Sequence, residues 1–145
     1  MATKSELQSD RIRQIFGTDE VPDVTPNTVK IYLEYLQKHL SFPCILVGIE
    51  SIGFFGWEER FEFGYGSKSE YEKLRKERGS LKDKFELSAM GDARVEKNLD
   101  IVVVVNRVPS RKRFEIPLSE LEADDKTSNN YRLLHDYSVW FVNWQ

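Results

Sequence analysis

Residue types that build reactive or cross-linked sites are scarce in this chain. Its 145 residues include one cysteine, Cys44, and two histidines, His39 and His135. A single cysteine excludes an intramolecular disulfide and a zinc site built from cysteines. No spacing rule pairs the histidines, so we expect ordinary surface or boundary residues, and we expect Cys44 to behave as a small buried hydrophobe.

Long apolar runs and an excess of one charge are also missing. The longest apolar stretches, residues 42–49 and 99–105, are shorter than the roughly 18 to 20 residues that span a bilayer. Lys and Arg total 21 against 24 acidic residues, and a net charge of -3 gives no field that would attract nucleic acid or an anionic membrane. The opening residues lack the apolar run of a secretory signal. We therefore expect a cytoplasmic protein with no nucleic-acid or membrane partner.

Catalytic motifs are absent as well. The sequence contains no G-x-S-x-G, no phosphate-binding loop and no H-E-x-x-H. Gly64-Tyr65-Gly66 lacks the further glycine and the surrounding strand–turn–helix unit that dinucleotide binding requires. We therefore predict that the protein is not an enzyme.

Capping residues predict three helices within a chain of single-domain size. Thr25 and Pro26 predict the start of a helix that ends near Leu40, and Ser67 predicts a short helix that closes near residue 79. Ser128 predicts a cap for a final aromatic helix over residues 129–143. Residues 1–24 carry one short apolar patch, so we expect a flexible N-terminal arm.

Short apolar or alternating segments predict the strands. They cover residues 42–52, 59–63, 85–90 and 99–108, with a returning strand at 114–118. Four to five strands in meander order, framed by an N-terminal and a C-terminal helix, predict an α+β protein with a mainly β core. We expect a small antiparallel barrel with the helices packed on it.

Acidic residues are concentrated in the C-terminal third of the chain. Six carboxylates there face only Lys126 and Arg132; they are Glu115, Glu120, Glu122, Asp124, Asp125 and Asp136. Neutral oxygens follow at residues 127–130, and calcium takes six to eight oxygen ligands. The spacing of an EF-hand does not occur. The segment is therefore either a solvated acidic turn or part of a calcium site.

Five segments together resemble the CcbP-type bacterial calcium-binding proteins. They are residues 32–36 (YLEYL), 40–43 (LSFP), 112–122 (KRFEIPLSELE), 125–131 (DKTSNNY) and 136–141 (DYSVWF). The resemblance implies a small SH3-like barrel with flanking helices, over one domain at residues 25–145. It also implies a cytosolic, non-enzymatic protein that binds calcium without an EF-hand. Residues 54–84 then form an insertion, which we expect to hold an extra hairpin and helix.

Hairpin topology predicts where calcium ligands would gather, since the start of one strand lies near the end of its partner. Carboxylates before the long strand would meet carboxylates after the returning strand at one end of the barrel. With Asp136 the predicted ligands are Asp92, Glu96, Asp100, Glu120, Glu122, Asp124, Asp125 and Asp136.

A second function from a different class remains open. The chain could be an SH3-like interaction module that binds a protein partner, of unknown identity, without any metal. Its groove would be built from aromatic residues, although we expect most of them to lie in the core instead. These residues are Phe54, Phe55, Trp57, Tyr65 and Tyr71.

Overall fold

The computed structural model describes residues 1–145 as an α+β protein with five α-helices and one six-stranded antiparallel sheet. The helices are α1 (Lys4–Phe16), α2 (Pro26–His39), α3 (Glu59–Glu62), α4 (Lys68–Glu77) and α5 (Asn129–Asn143). The strands are β1 (Cys44–Gly48), β2 (Lys84–Leu87), β3 (Arg94–Val95), β4 (Ile101–Val108), β5 (Arg113–Pro117) and β6 (Leu121–Ala123). Two 3-10 helices span Gly53–Glu58 and Leu118–Glu120. The predicted α+β class is confirmed.

The three predicted helices begin at the predicted caps. In α2, α4 and α5 a hydroxyl before the first turn accepts a backbone N–H that has no partner within the helix. These bonds are 3.1 Å long and join Thr28 N to Thr25 Oγ1, Glu70 N to Ser67 Oγ, and Tyr131 N to Ser128 Oγ. Pro26 occupies the first position of α2, where its missing N–H costs nothing.

Strand β4 organises the sheet because it pairs with three other strands. Its first residues pair with β3, its last residues with β2, and its middle with β5. Strand β1 pairs with β2 and with β6. The resulting order, β3-β4-β2-β1-β6 with β5 beside β4, leaves the sheet open. The closed SH3-like barrel is therefore not confirmed.

Helices α2 and α5 contribute large aromatic side chains to the hydrophobic core. Tyr32, Tyr137 and Trp140 are fully buried, and the Tyr32 ring centroid lies 5.1 Å from that of Tyr137 and 5.0 Å from that of Trp140. The prediction that so aromatic a final helix is buried is confirmed. The rings that surround Trp140 are those of Phe16 from α1, Tyr32 from α2 and Tyr137 from α5.

Residues 1–24 differ from the flexible arm that we expected. The apolar side chains of α1 pack against the aromatic side chains of α2 and α5. Ile12 is fully buried, and the ring centroids of Phe16 and Trp140 lie 5.5 Å apart. The segment after α1 is also fixed, since Pro22 O accepts the indole N–H of Trp140 at 2.9 Å. The segment is therefore held by apolar packing on α2 and α5 together with polar contacts to α5.

The insertion also differs from the expectation, because it holds no hairpin. Residues 59–63, predicted as a strand, form α3 and its C-terminal end. The alternation of charged and aromatic residues over five positions does not separate a strand from one helical turn. A helical turn places Trp57 and Phe61 on one face, with their ring centroids 6.2 Å apart, and Phe61 packs 5.2 Å from Tyr71 of α4.

Candidate functional site

Asp100 and Glu120 are the two predicted calcium ligands that the fold brings together. Asp100 is buried just before β4, where its Oδ1 accepts the Tyr137 hydroxyl at 2.7 Å and its Oδ2 accepts the Ser119 hydroxyl at 2.5 Å. Burial raises the pKa of Asp100, and the bonds from Ser119 and Tyr137 oppose that rise. Tyr137 Oη also accepts the N–H of Ile101 at 3.0 Å, which ties α5 to the start of β4.

Glu120 is half-buried at the end of the second 3-10 helix. Its Oε1 accepts the backbone N–H of Phe54 at 2.9 Å, so it joins the insertion to the sheet. Burial raises the pKa of Glu120, and the nearby charge of Asp100 adds to the rise. The carboxylate lies against Gly53, where φ is +53° and a Cβ would collide with it, so this contact requires glycine.

Four other predicted ligands each interact with a basic or hydroxyl side chain elsewhere on the surface. Glu96 accepts from Arg94 at 2.8 Å, and Asp124 pairs with Lys84 at 2.9 Å. Glu122 lies 3.9 Å from Lys126. Asp125 accepts the Thr127 hydroxyl at 2.6 Å, and this bond lowers the pKa of its exposed carboxyl. Asp92 is exposed in the turn before β3.

Asp136 has a separate role on the inner face of α5. Its buried carboxylate accepts two bonds from Arg11, at 2.8 and 2.9 Å, and a third at 2.9 Å from Gln8. These partners are on α1, more than a hundred residues away in sequence, and no local spacing rule could have found them. Asp136 therefore docks α1 onto α5.

The predicted carboxylates do not gather into one centre. No group of three or more His, Cys, Asp or Glu side chains is placed to hold a metal ion. The reason is topological: Asp100 and Glu120 meet near the start of β4, Asp136 faces α1, and Asp124 pairs with Lys84 at the start of β2.

The two histidines and the cysteine do not contribute to a cluster of possible metal ligands. Each histidine packs on the tyrosine one helical turn before it, with ring centroids 4.2 Å apart for Tyr35 and His39 and 5.7 Å apart for Tyr131 and His135. Burial raises the pKa of the Cys44 thiol, which disfavours the reactive thiolate.

The five aromatic residues of the predicted groove divide by exposure. Phe55 lies in the core, Phe54, Trp57 and Tyr71 are half-buried, and Tyr65 is exposed. Trp57 is held by its indole N–H, which donates to Gly79 O at 2.8 Å. Only Phe55 lies in the core and Phe54 packs against it, so the expectation that most of these aromatics lie in the core is not confirmed.

An exposed apolar surface lies on the loop before the insertion and on the end of α3. Ile49, Ile52, Phe63 and Tyr65 are 40%, 58%, 71% and 68% exposed. The Ser51 hydroxyl donates to Glu62 Oε1 at 3.2 Å, which ties the loop beside Ile52 to the helix end beside Phe63. We call these four side chains the 49–65 surface. From the sequence, Ile49, Ile52 and Phe63 were expected in strands, and only Tyr65 was named as a possible groove residue.

Acidic side chains border the 49–65 surface. Glu50, Glu59 and Glu62 are exposed and take part in no salt bridge, whereas Arg60 is paired with Glu70. A neighbouring cavity of about 310 Å³ is lined by Phe61, Tyr71, Lys68 and Lys82, among others. At its edge Glu58 is buried and accepts the Tyr71 hydroxyl at 2.8 Å and Leu81 N–H at 3.0 Å.

Comparisons with known proteins add no relative. No protein-family model, no curated protein and no solved structure matches the chain. None of the helices combines the length and the apolar character needed to cross a membrane. The resemblance to the calcium-binding family therefore stays a prediction.

Proposed function

We propose that this protein is a non-enzymatic interaction domain that binds a protein segment on the 49–65 surface. The observation that carries the proposal is the exposure of four large apolar side chains within 17 consecutive positions, two of them aromatic. A cluster of exposed apolar residues inside a polar border is characteristic of a protein-binding surface.

Local packing supports a preformed surface. The Ser51–Glu62 hydrogen bond fixes its two halves, and the packing of Phe61 on Tyr71 anchors α3 to α4. A surface held in place before binding loses less conformational entropy when a partner arrives.

The charges next to the surface select the chemistry of the partner. None of these acidic side chains, Glu50, Glu59 and Glu62, forms a salt bridge. A ligand with Lys or Arg beside its apolar anchor residues would therefore pair with them. The partner in this proposal is therefore a peptide segment that combines apolar and basic side chains.

Strand connectivity supports an SH3-like fold for this domain even though the sheet is open. The last strand, β6, returns to pair with the first strand, β1, after the short 3-10 helix Leu118–Glu120. The pairing of the last strand with the first is the feature in common with the SH3-like barrel that the resemblance implies, although β6 does not pair with β3 or β5 at the other end of the sheet.

A peptide selection tests the proposed function. A displayed library of random peptides is selected against the whole protein, and the best binder is synthesised and measured by calorimetry. We expect apolar residues flanked by Lys or Arg, with affinity falling as salt is raised. Phe63→Ser should weaken binding at least tenfold, and Glu62→Gln should weaken it less.

The matched control is Val142→Ser on α5, because Val142 is 64% exposed but lies outside this surface. Binding to this variant should equal that of the wild type. Equal affinity for Phe63→Ser, or a failure to select any binder, contradicts the proposal. A dimer in sedimentation that Phe63→Ser dissociates would identify the partner as a second copy of the chain.

Calcium binding is the second candidate function, and the proximity of Asp100 and Glu120 favours it. Burial raises the pKa of both carboxyls, and the charge of Asp100 further opposes ionisation of Glu120, so a cation beside them would relieve that repulsion. Calcium at a hundredfold excess over Kd would stabilise the fold by about 2.7 kcal/mol. Further ligands would have to move in, since two carboxylates are fewer than calcium requires.

Thermal melting with and without 10 mM calcium tests this candidate. The wild type should gain stability, Glu120→Gln should lose the gain, and the control Asp124→Asn should keep it, because Asp124 already pairs with Lys84. No shift in the wild type, or an equal shift in Glu120→Gln, rules out calcium binding at this place.

A further inference from the structure

A second cavity lies where helices α1, α2 and α5 meet. Its volume is about 310 Å³, and its lining includes Arg11 and Gln14 from α1, Tyr32 from α2, and Arg132 and Asp136 from α5. Ile15 and Leu133 add apolar wall. The cavity plays no part in the interaction surface proposed above.

Tyr32 lines this cavity, and its buried hydroxyl is an unsatisfied polar group. Tyr32 is fully buried, and its Oη is the one buried side-chain nitrogen or oxygen in the structure without a hydrogen-bond partner. Such groups are rare in folded proteins because a buried donor without an acceptor costs stability. An unpaired hydroxyl beside a cavity therefore indicates a missing acceptor.

The hydroxyl is a donor at any physiological pH. Burial raises the pKa of Tyr32 well above its usual value, and the negative charge of Asp136 raises it further. Arg11 lowers the pKa of the same phenol, so Arg11 and Asp136 both lie close enough to act on it. A ligand there meets a neutral O–H that can only be satisfied by an acceptor atom.

The charges around the cavity favour an anion. Arg11 is neutralised by Asp136 through their two hydrogen bonds. Arg132 lines the same cavity, is exposed and forms no salt bridge. Two guanidinium groups against one carboxylate leave an excess of one positive charge.

We propose that this cavity binds a small organic carboxylate with an apolar body. The carboxylate accepts the Tyr32 O–H and pairs with Arg132, whose planar guanidinium suits a carboxylate. The apolar body covers Ile15 and Leu133. The Gln14 side-chain amide supplies a further donor at the same wall.

Benzoate is a suitable probe because it combines one carboxylate with a small apolar ring. Its binding to the whole protein is measured by calorimetry and by the shift in melting temperature. We expect saturable binding that weakens at least tenfold in Tyr32→Phe and in Arg132→Gln. Arg78→Gln is the control, since Arg78 is exposed and forms no salt bridge, and it should bind benzoate as the wild type does.

Tyr32→Phe removes only the hydroxyl and keeps the buried ring, so it has a second readout that is independent of the ligand. Without benzoate this variant should unfold at an equal or higher urea concentration than the wild type, because it loses an unsatisfied donor. A lower midpoint would show that the hydroxyl is satisfied in the free protein and would overturn the proposal.

Three other outcomes overturn the proposal. One is the absence of benzoate binding at 50 mM, and another is equal binding to all variants. Tighter binding of inorganic phosphate than of benzoate would overturn the choice of a carboxylate with an apolar body.

Discussion

Two helical regions flank the same sheet and differ in how far their aromatic side chains are buried. Where α1, α2 and α5 meet, Tyr32, Tyr137 and Trp140 are fully buried. In the insertion Phe63 and Tyr65 are mostly exposed. Aromatic content therefore does not decide burial; what decides it is whether a second apolar surface lies opposite.

Local backbone geometry explains the exposed side of this comparison. Gly64 and Gly66 have φ values of +83° and +91°, which favour glycine, and a Cβ on Gly66 would collide with the Phe61 ring. This turn directly follows α3, and Tyr65 N–H donates back to Arg60 O at 2.8 Å. Phe63 and Tyr65 are consequently presented to solvent, whereas Phe61 packs inward on Tyr71.

The largest effect should come from the buried region. Trp140→Ala should lower the free energy of unfolding by about 3 to 5 kcal/mol, because a large cavity opens between α1, α2 and α5. The indole bond to Pro22 O is lost as well. Urea denaturation checks this; a loss below about 1 kcal/mol would mean that the three helices do not share this core.

Ile12→Ala tests the docking of α1. Ile12 is fully buried, so the variant should lose about 2 to 5 kcal/mol in urea denaturation. Leu7→Ala on the same helix is the control, since Leu7 is 48% exposed and its loss should stay within about 0.5 kcal/mol. Equal small losses for both variants would restore the flexible arm that the sequence suggested.

Local signals gave the sequence analysis its correct results. The caps at Thr25, Ser67 and Ser128 act within four residues, so α2, α4 and α5 could be placed from the sequence. The prediction of a strand at residues 59–63 was wrong, because five alternating residues are compatible with the period of a strand and with that of a helix. The failures at longer range have a different cause.

Contacts between distant segments could not be predicted. Asp136 looked like a metal ligand because its partner Arg11 lies at the other end of the chain. Asp124 pairs with Lys84 through the meeting of β1 with both β2 and β6. Only the fold shows that these carboxylates are already paired, and only the fold shows the cavity beside Tyr32.

A pH effect should appear at Asp100, within the buried region. Burial raises the pKa of Asp100 above 3.8, so the folded state holds the proton to higher pH than the unfolded state does. The wild type should therefore be most stable relative to Asp100→Asn below pH 3.8 and lose that advantage as the pH rises through the folded-state pKa. Urea midpoints of both proteins at several pH values check this, and a constant difference would contradict it.

The smallest effect on stability should come from the exposed region. Phe63→Ser should change the free energy of unfolding by less than about 0.5 kcal/mol, because the ring is 71% exposed. The same variant is expected to lose peptide binding, so stability and binding separate at this residue. A loss above about 2 kcal/mol in urea denaturation would mean that the ring is packed in solution.

The central claim is that the 49–65 surface binds a partner while the region of α1, α2 and α5 holds the fold together. An amide NMR titration of the whole protein with the selected peptide tests it most directly. We predict that the shifted signals fall on residues 49–65 and on α4, with α5 unchanged. Shifts confined to α1, α2 and α5, with residues 49–65 unchanged, would contradict the account.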